Sequence, residues 1–236
     1  MKLTYYASKT RGLTATGWLV GKHMFSFGEY LNIQRMRFGS LRVFNDDLIL
    51  GGTGFGAHSH DNMEIITVIL QGAVKHQDSM GNSAVVSLGE VQTMSAGTGV
   101  THSEVNASET ESLKLLQIWI DTATRDIAPA YDQKAFDFSR MGEWITVAGP
   151  KDEAGAHATI HQQAWVYHGQ YEAGKVATYK VKHPIKNGLF LFIIDGEAQV
   201  GDQELQKGDG LGIQEVENLM IEIKQNAKLL LIEMPF

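Results

Sequence analysis

The 236-residue chain contains no cysteine. This absence excludes disulfide bonds, cysteine-ligated zinc or iron–sulfur centres and a thiol nucleophile. The chain has only four prolines and no low-complexity tract, so we do not expect disorder. No apolar run approaches the ~18 residues that a membrane-spanning helix needs, and no apolar segment of the signal-peptide type follows the first residues. The sequence therefore predicts a folded cytoplasmic protein that does not contact a membrane.

Clustered positive charge is also missing. The chain has 27 acidic and 20 basic residues, which gives a net charge of -7. A nucleic-acid surface usually shows grouped lysines and arginines, so we expect no direct contact with nucleic acid. Apolar residues make up 43% of the chain, enough for a substantial core. The length fits one large β domain or two small ones.

Short apolar segments rich in β-branched residues alternate with glycine-containing turns along most of the chain. Two examples are MEIITVILQ, which begins at Met63, and LKLLQIWI, which begins at Leu113. This pattern predicts an all-β fold built as antiparallel sandwiches or small barrels. Residues 121–141 differ, because they carry a proline, scattered charges and no alternation. We expect them to connect two modules, with some helix.

A repeat predicts the domain organisation. Both halves of the chain contain an apolar strand, a glycine, a second strand, a turn and a glycine followed by an acidic residue. In this alignment Gly72 corresponds to Gly196, and Gly89 corresponds to Gly208. A repeated unit that must bury one face implies two similar modules. We therefore predict two stacked antiparallel β-barrels, with residues 1–130 in the first and residues 131–236 in the second.

Two pairs of metal-type ligands lie in the first module. His58 and His60 are separated by one residue, and so are His102 and Glu104. Residues two apart on a strand share a face, so each pair can aim two ligand atoms at one point. One such pair is weak evidence, but two pairs on neighbouring strands would bring four ligands together. Three imidazoles and a carboxylate suit a redox-active first-row metal such as iron, copper, manganese or nickel.

The repeat predicts that the second module lacks this site. At the positions that correspond to the three histidines it has Lys182, Pro184 and Ile221. We therefore expect one metal ion per chain.

These segments resemble the pirin family of the cupin superfamily. The resemblance is carried by GFGAHSHDNMEIITVILQGAVKHQDSMGN and GEVQTMSAGTGVTHSE, covers most of the chain, and is nearest to bacterial pirin-like proteins assigned quercetin 2,3-dioxygenase activity. It implies a bicupin of two jelly-roll-type barrels with a metal only in the N-terminal barrel, held by His58, His60, His102 and Glu104. Fe²⁺ is the first expectation, and Cu²⁺, Mn²⁺, Ni²⁺, Co²⁺ and Zn²⁺ fit the same ligands.

The choice between two glutamates is open at this point. The broader cupin pattern places a metal-binding glutamate shortly after H-x-H, here Glu64, whereas pirin-like proteins place it in the second motif, here Glu104. We expect Glu104 to bind the metal, and either Glu104 or Glu64 to act as the catalytic base. His60 and Glu64 are four residues apart, so they share a face if the strand is unbroken.

The resemblance implies an oxidoreductase that uses O₂ to cleave flavonols such as quercetin, with opening of the heterocycle and release of CO. Phe55, Met63 and Met94 are candidate walls for a planar aromatic substrate. In an alternative interpretation the chain is a metal-containing, redox-sensing protein that modulates a transcription factor or a metabolic enzyme through protein contacts. In a third interpretation the chain is another cupin dioxygenase or an isomerase, because one fold can support many different reactions.

Overall fold

The computed structural model describes residues 1–153, 155 and 157–236. These residues form one short 3-10 helix, Ser8–Thr10, and twenty β-strands. In chain order the strands are β1 (Lys2–Tyr6), β2 (Gly12–Ala15), β3 (Leu19–His23), β4 (Leu41–Ile49), β5 (Gly54–His60), β6 (Met63–Gln71), β7 (Ala73–Asp78), β8 (Ser83–Ser87), β9 (Glu90–Ser95), β10 (Val100–Asn106), β11 (Leu113–Asp121), β12 (Ala130–Ala135), β13 (Trp144–Pro150), β14 (Ala158–Ile160), β15 (Trp165–Tyr171), β16 (Val176–Lys180), β17 (Asn187–Val200), β18 (Gln203–Gln206), β19 (Gly210–Gln214) and β20 (Asn218–Pro235).

The all-β prediction is confirmed. The helix expected within residues 121–141 was wrong, because this segment contains β12, which pairs with β9. Within the described part of the chain, no helix combines the length and the apolar character needed to cross a membrane.

Two antiparallel sheets face each other in the first module. One has seven strands in the order β12-β9-β6-β11-β4-β3-β2, and the other has four in the order β5-β10-β7-β8. Apolar residues from both sheets, among them Ile49, Ile69 and Leu115 opposite Val74 and Val86, form one core cluster. The interior between these sheets is where the predicted ligands lie.

A nine-stranded sheet forms the second module around a core of its own. Its long strands β17 and β20 pair along most of their length with several register shifts, and these bends allow β16 and β18 to add to the same sheet. Pairing is antiparallel except between β13 and β14, which are parallel.

The four glycines that defined the repeat occupy equivalent backbone conformations. Gly72 and Gly89 have φ of 74° and 90°, and Gly196 and Gly208 both have φ of 84°. Only glycine adopts such positive φ values without strain, which explains why the same residue recurs at each position. The structure thus supports the alignment from which two modules were predicted.

A third core cluster joins the two modules. Phe44 of β4 packs against Phe190 and Phe192 of β17, with ring centroids 5.5 and 4.6 Å apart. Strand β1 crosses over to pair with β19 of the second module, while β12 completes the first module's larger sheet. The division at residues 130 and 131 stays a prediction, since β12 begins at Ala130.

Candidate metal centre

Three histidines converge inside the first module. Strand β10 pairs with β5 so that His102 lies opposite His58 and Val100 lies opposite His60. The ring centroid of His102 is 4.4 Å from that of His58 and 4.9 Å from that of His60. One ring nitrogen from each of the three lies within 4.8 Å of the others. Alternation on two adjacent antiparallel strands therefore brings together the three histidines of the H-x-H and H-x-E spacings, while the fourth predicted ligand, Glu104, belongs to a second grouping with His102.

The nitrogens of this cluster fit a metal ion. His58 Nδ1 donates to the carbonyl oxygen of Gly56 at 2.8 Å, which leaves the Nε2 lone pair free. His102 is buried, and neither of its ring nitrogens has a hydrogen-bond partner among the described residues. Burial, followed by the neighbouring histidines, lowers the pKa of His102 to about 3. Burial, followed by His58, lowers the pKa of His60 to about 4. Neutral imidazoles with free lone pairs are the form that binds a metal.

Glu104 lies two residues after His102 on β10, and its carboxylate is held by three donors from the opposite sheet. Gln117 Nε2 donates to Oε2 at 2.9 Å, and Gln92 Nε2 and Thr67 Oγ1 donate to Oε1 at 3.1 and 3.3 Å. Glu104 is 2% exposed, and burial raises its pKa. Its carboxylate oxygen also lies within 4.8 Å of a nitrogen of His102 and one of His76. The structure thus places Glu104 beside the histidine cluster with its orientation fixed.

The donors to Glu104 belong to a polar row that crosses the seven-stranded sheet. Strand register aligns His23, Asn45, Gln117, Thr67 and Gln92 on successive strands. Their side chains share the interior face because they occupy one register line of the pleated sheet. Sequence reasoning missed Gln117, Thr67 and Gln92. Thr67 and Gln117 each interrupt an apolar run, which was a usable signal, whereas Gln92 lies in the mixed strand EVQTMS. His23 forms hydrogen bonds with Thr14 Oγ1 and Asn45 Oδ1, both at 2.8 Å.

His76 is a fourth histidine at the centre that sequence reasoning also missed. It lies opposite Glu104 on β7 and is fully buried. Its Nε2 is 3.1 Å from Asp78 Oδ2, and its ring stacks on Tyr131 with centroids 4.9 Å apart. The Asp78 carboxylate accepts a hydrogen bond from His76 Nε2–H, so the ring is held by contacts on two sides.

Glu64 lies apart from the histidines. A turn with Asn62 at φ 47° separates β5 from β6, so the unbroken strand assumed between His60 and Glu64 does not exist. The Glu64 side chain accepts hydrogen bonds from Ser95 Oγ and from Thr122 Oγ1, and from the backbone N–H of His161 in the second module. Its contacts therefore connect the two modules.

A cavity of about 420 Å³ opens next to the cluster, between the two sheets. His58, His60, Phe55 and Glu104 line it from the smaller sheet. The wall formed by the larger sheet and the loop after β3 is lined by Thr14, Leu19, His23, Phe27, Asn45, Asp47, Gln117 and Trp119, among others. This volume lies in the range of small-molecule sites, and an apolar lining with a few polar groups is typical of them.

Of the three predicted apolar wall residues, only Phe55 lines this cavity. Met63 and Met94 pack instead with Ile65, Ala96 and Val100 in a separate core cluster.

In the second module, residues at positions that correspond to the histidines make other contacts. The Lys182 ammonium pairs with Glu153 at 2.7 Å, and Ile221 is buried in the core of that module. Among the described residues, both groupings of side chains close enough to hold a metal lie in the first module, and they share His102.

The fold and the centre together define a two-module cupin protein with a histidine-rich site in its N-terminal module. Comparison with known proteins is consistent with this class, since residues 6–120 match the Pirin family and residues 146–234 match the quercetinase C-terminal cupin domain. The chain belongs to the pirin family.

Relatives align over nearly the whole chain. The quercetin 2,3-dioxygenase of Escherichia coli K12 is 36% identical over 95% of both chains. A pirin-like protein of Caulobacter vibrioides is 38% identical over 92% of this chain and 93% of its own. The solved structure of the bacterial pirin YhhW from Escherichia coli in complex with nickel(II) superposes with a TM-score of 0.92 at 35% identity, covering 99% of both chains.

Proposed function

We propose that this protein is a metal-dependent dioxygenase that cleaves flavonols such as quercetin, opening the heterocycle and releasing CO. The observation that carries the proposal is the convergence of His58, His60 and His102 beside a cavity with aromatic lining, which His58 and His60 help to line. Support also comes from the full-length similarity to a relative named quercetin 2,3-dioxygenase.

The residues that would hold the metal are His58, His60, His102 and Glu104. A divalent ion bound there supplies Lewis acidity, and a redox-active one can also exchange electrons with O₂. The similarity to a pirin structure with nickel(II) supports a divalent transition metal. Its identity, for which the sequence predicts Fe²⁺, stays a prediction.

The chain's own residues define how a substrate would sit. Phe55 and Trp119 line the cavity and offer apolar surface to a planar aromatic ring. Glu104 is the carboxylate placed to accept the proton of a flavonol hydroxyl group at the histidine wall, because its side chain also lines the cavity. Gln117, Gln92 and Thr67 hold that carboxylate in place, so it needs no rearrangement when substrate binds. Glu64, bound to Ser95 and the second module, has no such access.

Quercetin consumption and CO release by the purified protein test the proposal. The metal content is determined first, and the assay is repeated with His58→Ala and Glu104→Ala. Turnover in the metal-loaded protein that both variants abolish is the expected result. Bound metal without turnover would favour the alternative, a redox-sensing protein that acts through protein contacts.

A further inference from the structure

The cavity wall formed by the larger sheet carries a carboxyl group without a partner. Asp47 on β4 is 4% exposed, and its Oδ1 atom is buried and lacks a hydrogen-bond partner among the residues that the structure describes. Its neighbours on the strand are paired, Asn45 with His23 at 2.8 Å and Asp46 with Arg11 at 3.3 Å. A buried polar group without a partner destabilises the fold. The position of Asp47 therefore points to a partner that the chain itself does not supply.

Local geometry directs this carboxyl group toward the cavity. Asp47 shares the interior face of β4 with Asn45, and both line the cavity. Its register neighbours are Gly21 on β3 and Leu115 on β11, which offer no side-chain donor. A Cβ atom at position 21 would lie 2.7 Å from Asp47 Oδ1, so this oxygen lies against β3 in the space that the glycine leaves. Oδ2 is then the carboxyl oxygen left to contact a group in the cavity.

Asp47 and two histidines of the cluster line the same cavity from different sheets. His58 and His60 belong to β5 of the smaller sheet, and Asp47 belongs to β4 of the larger sheet. Aromatic side chains, Phe27, Phe55 and Trp119, line the same cavity. A flat aromatic molecule bound at the histidine wall can therefore present a second polar group to Asp47.

We propose that Asp47 forms a second polar subsite, which binds a phenolic hydroxyl group of the substrate on the wall opposite the histidine cluster. This inference rests on the proposed flavonol activity. It adds a substrate preference, because the subsite selects flavonols that carry hydroxyl groups beyond the one next to the carbonyl. Burial raises the pKa of Asp47 to about 7, so above that pH the group is an ionised carboxylate. An ionised carboxylate only accepts hydrogen bonds, and a phenol O–H is a matching donor. Asp47 is in this sense a specificity-determining residue.

Flavonol binding without turnover tests the subsite. The Ni²⁺-loaded protein is titrated under argon with quercetin and with 3-hydroxyflavone, which lacks the other hydroxyl groups, and binding is followed by fluorescence. Above the raised pKa of Asp47, at about pH 8, we expect the wild type to bind quercetin about tenfold or more tightly than 3-hydroxyflavone, the range of a hydrogen bond to a charged group. Asp47→Leu is expected to remove this difference while its metal content stays that of the wild type.

Unfolding by denaturant gives an independent readout. Because Asp47 Oδ1 has no partner, Asp47→Asn and Asp47→Leu should be at least as stable as the wild type. The matched control is Asp46→Asn on the opposite face of the same strand, which loses contacts to Arg11 and Lys114. This control should lower stability and keep the preference for quercetin.

The possible results distinguish a failure of the subsite proposal from a failure of the proposed flavonol activity. A wild type that binds neither flavonol overturns the proposed function and the subsite with it. A wild type that binds both equally, or an Asp47→Leu protein that still prefers quercetin, overturns the subsite alone. A loss of stability in Asp47→Leu as large as that in Asp46→Asn would assign Asp47 a structural role and also overturn it.

Discussion

Glu64 and Thr67 lie three residues apart on β6 and point to opposite faces of the strand. Thr67 Oγ1 donates to Glu104 inside the first module, at 3.3 Å. Glu64 accepts the backbone N–H of His161 in the second module, at 3.1 Å. The alternation of side chains along a strand thus separates two buried carboxylates into different environments, one beside the histidine cluster and one at the module interface.

This separation predicts different consequences for the two glutamates. Glu104→Gln should lower the affinity for a divalent metal by about tenfold or more, because a proposed ligand loses its charge. Glu64→Gln should leave metal affinity unchanged and cost about 1–3 kcal/mol of unfolding free energy, because three donors lose a charged acceptor. Isothermal titration with Ni²⁺ and urea unfolding measure the two effects. Weaker metal binding in Glu64→Gln, with Glu104→Gln unaffected, would reverse the assignment.

Gln117 is predicted to position the Glu104 carboxylate. Gln117→Leu removes the 2.9 Å hydrogen bond to Oε2 and should lower metal affinity about 10- to 100-fold, as is usual when a partner of a ligand is lost. Metal titration measures the effect, and Gln225→Ala, at an exposed position on β20, is the control. Equal affinities in Gln117→Leu and the wild type would show that the hydrogen bond does not orient Glu104.

Metal binding should stabilise the fold. A ligand that binds only the native state, at a free concentration about 100 times its dissociation constant, adds about 2.7 kcal/mol to the free energy of unfolding. Ni²⁺ should therefore raise the melting temperature, and a chelator should reverse the rise. His102→Ala should abolish this shift, because both candidate groupings contain His102. His183→Ala, exposed in the second module, should retain it. A full metal-induced shift in His102→Ala would place the metal elsewhere.

Acid should destabilise the protein partly through His168. Burial lowers the pKa of this histidine to about 4, and the ring stacks on Phe138 with centroids 4.3 Å apart. In the unfolded chain this histidine has its ordinary pKa of about 6.5, so below that pH the unfolded state binds a proton that the folded state excludes. The folded protein therefore keeps its full stability above about pH 6.5 and loses stability as the pH falls toward 4. The loss amounts to at most about 3 kcal/mol.

The test compares the metal-free wild type with metal-free His168→Leu by urea unfolding at pH 7 and at pH 4.5. The wild type should lose more stability than the variant between these two pH values, since leucine does not titrate. Parallel losses in both proteins would show that His168 does not contribute to the pH dependence.

The glycine repeat and the two-residue ligand spacing could be interpreted from the sequence, because both depend only on local backbone geometry. Gly72 and Gly196 needed positive φ, and two-residue spacing puts His58 and His60 on one face wherever the strand lies. Pairing across the sheet is not local. The alignment of Gln117, Thr67 and Gln92 under Glu104 depends on strand register, and the turn at Asn62 placed Glu64 on another face. Both required the fold.

Oxygen uptake is the most direct test of the central claim. The metal-free protein is reconstituted with Fe²⁺ or Ni²⁺, quercetin is added, and O₂ consumption is recorded against quercetin loss. We predict that O₂ and quercetin disappear in equal amounts only in a metal-loaded protein. Metal-loaded protein that consumes no O₂ with any of the tested ions would contradict the dioxygenase function.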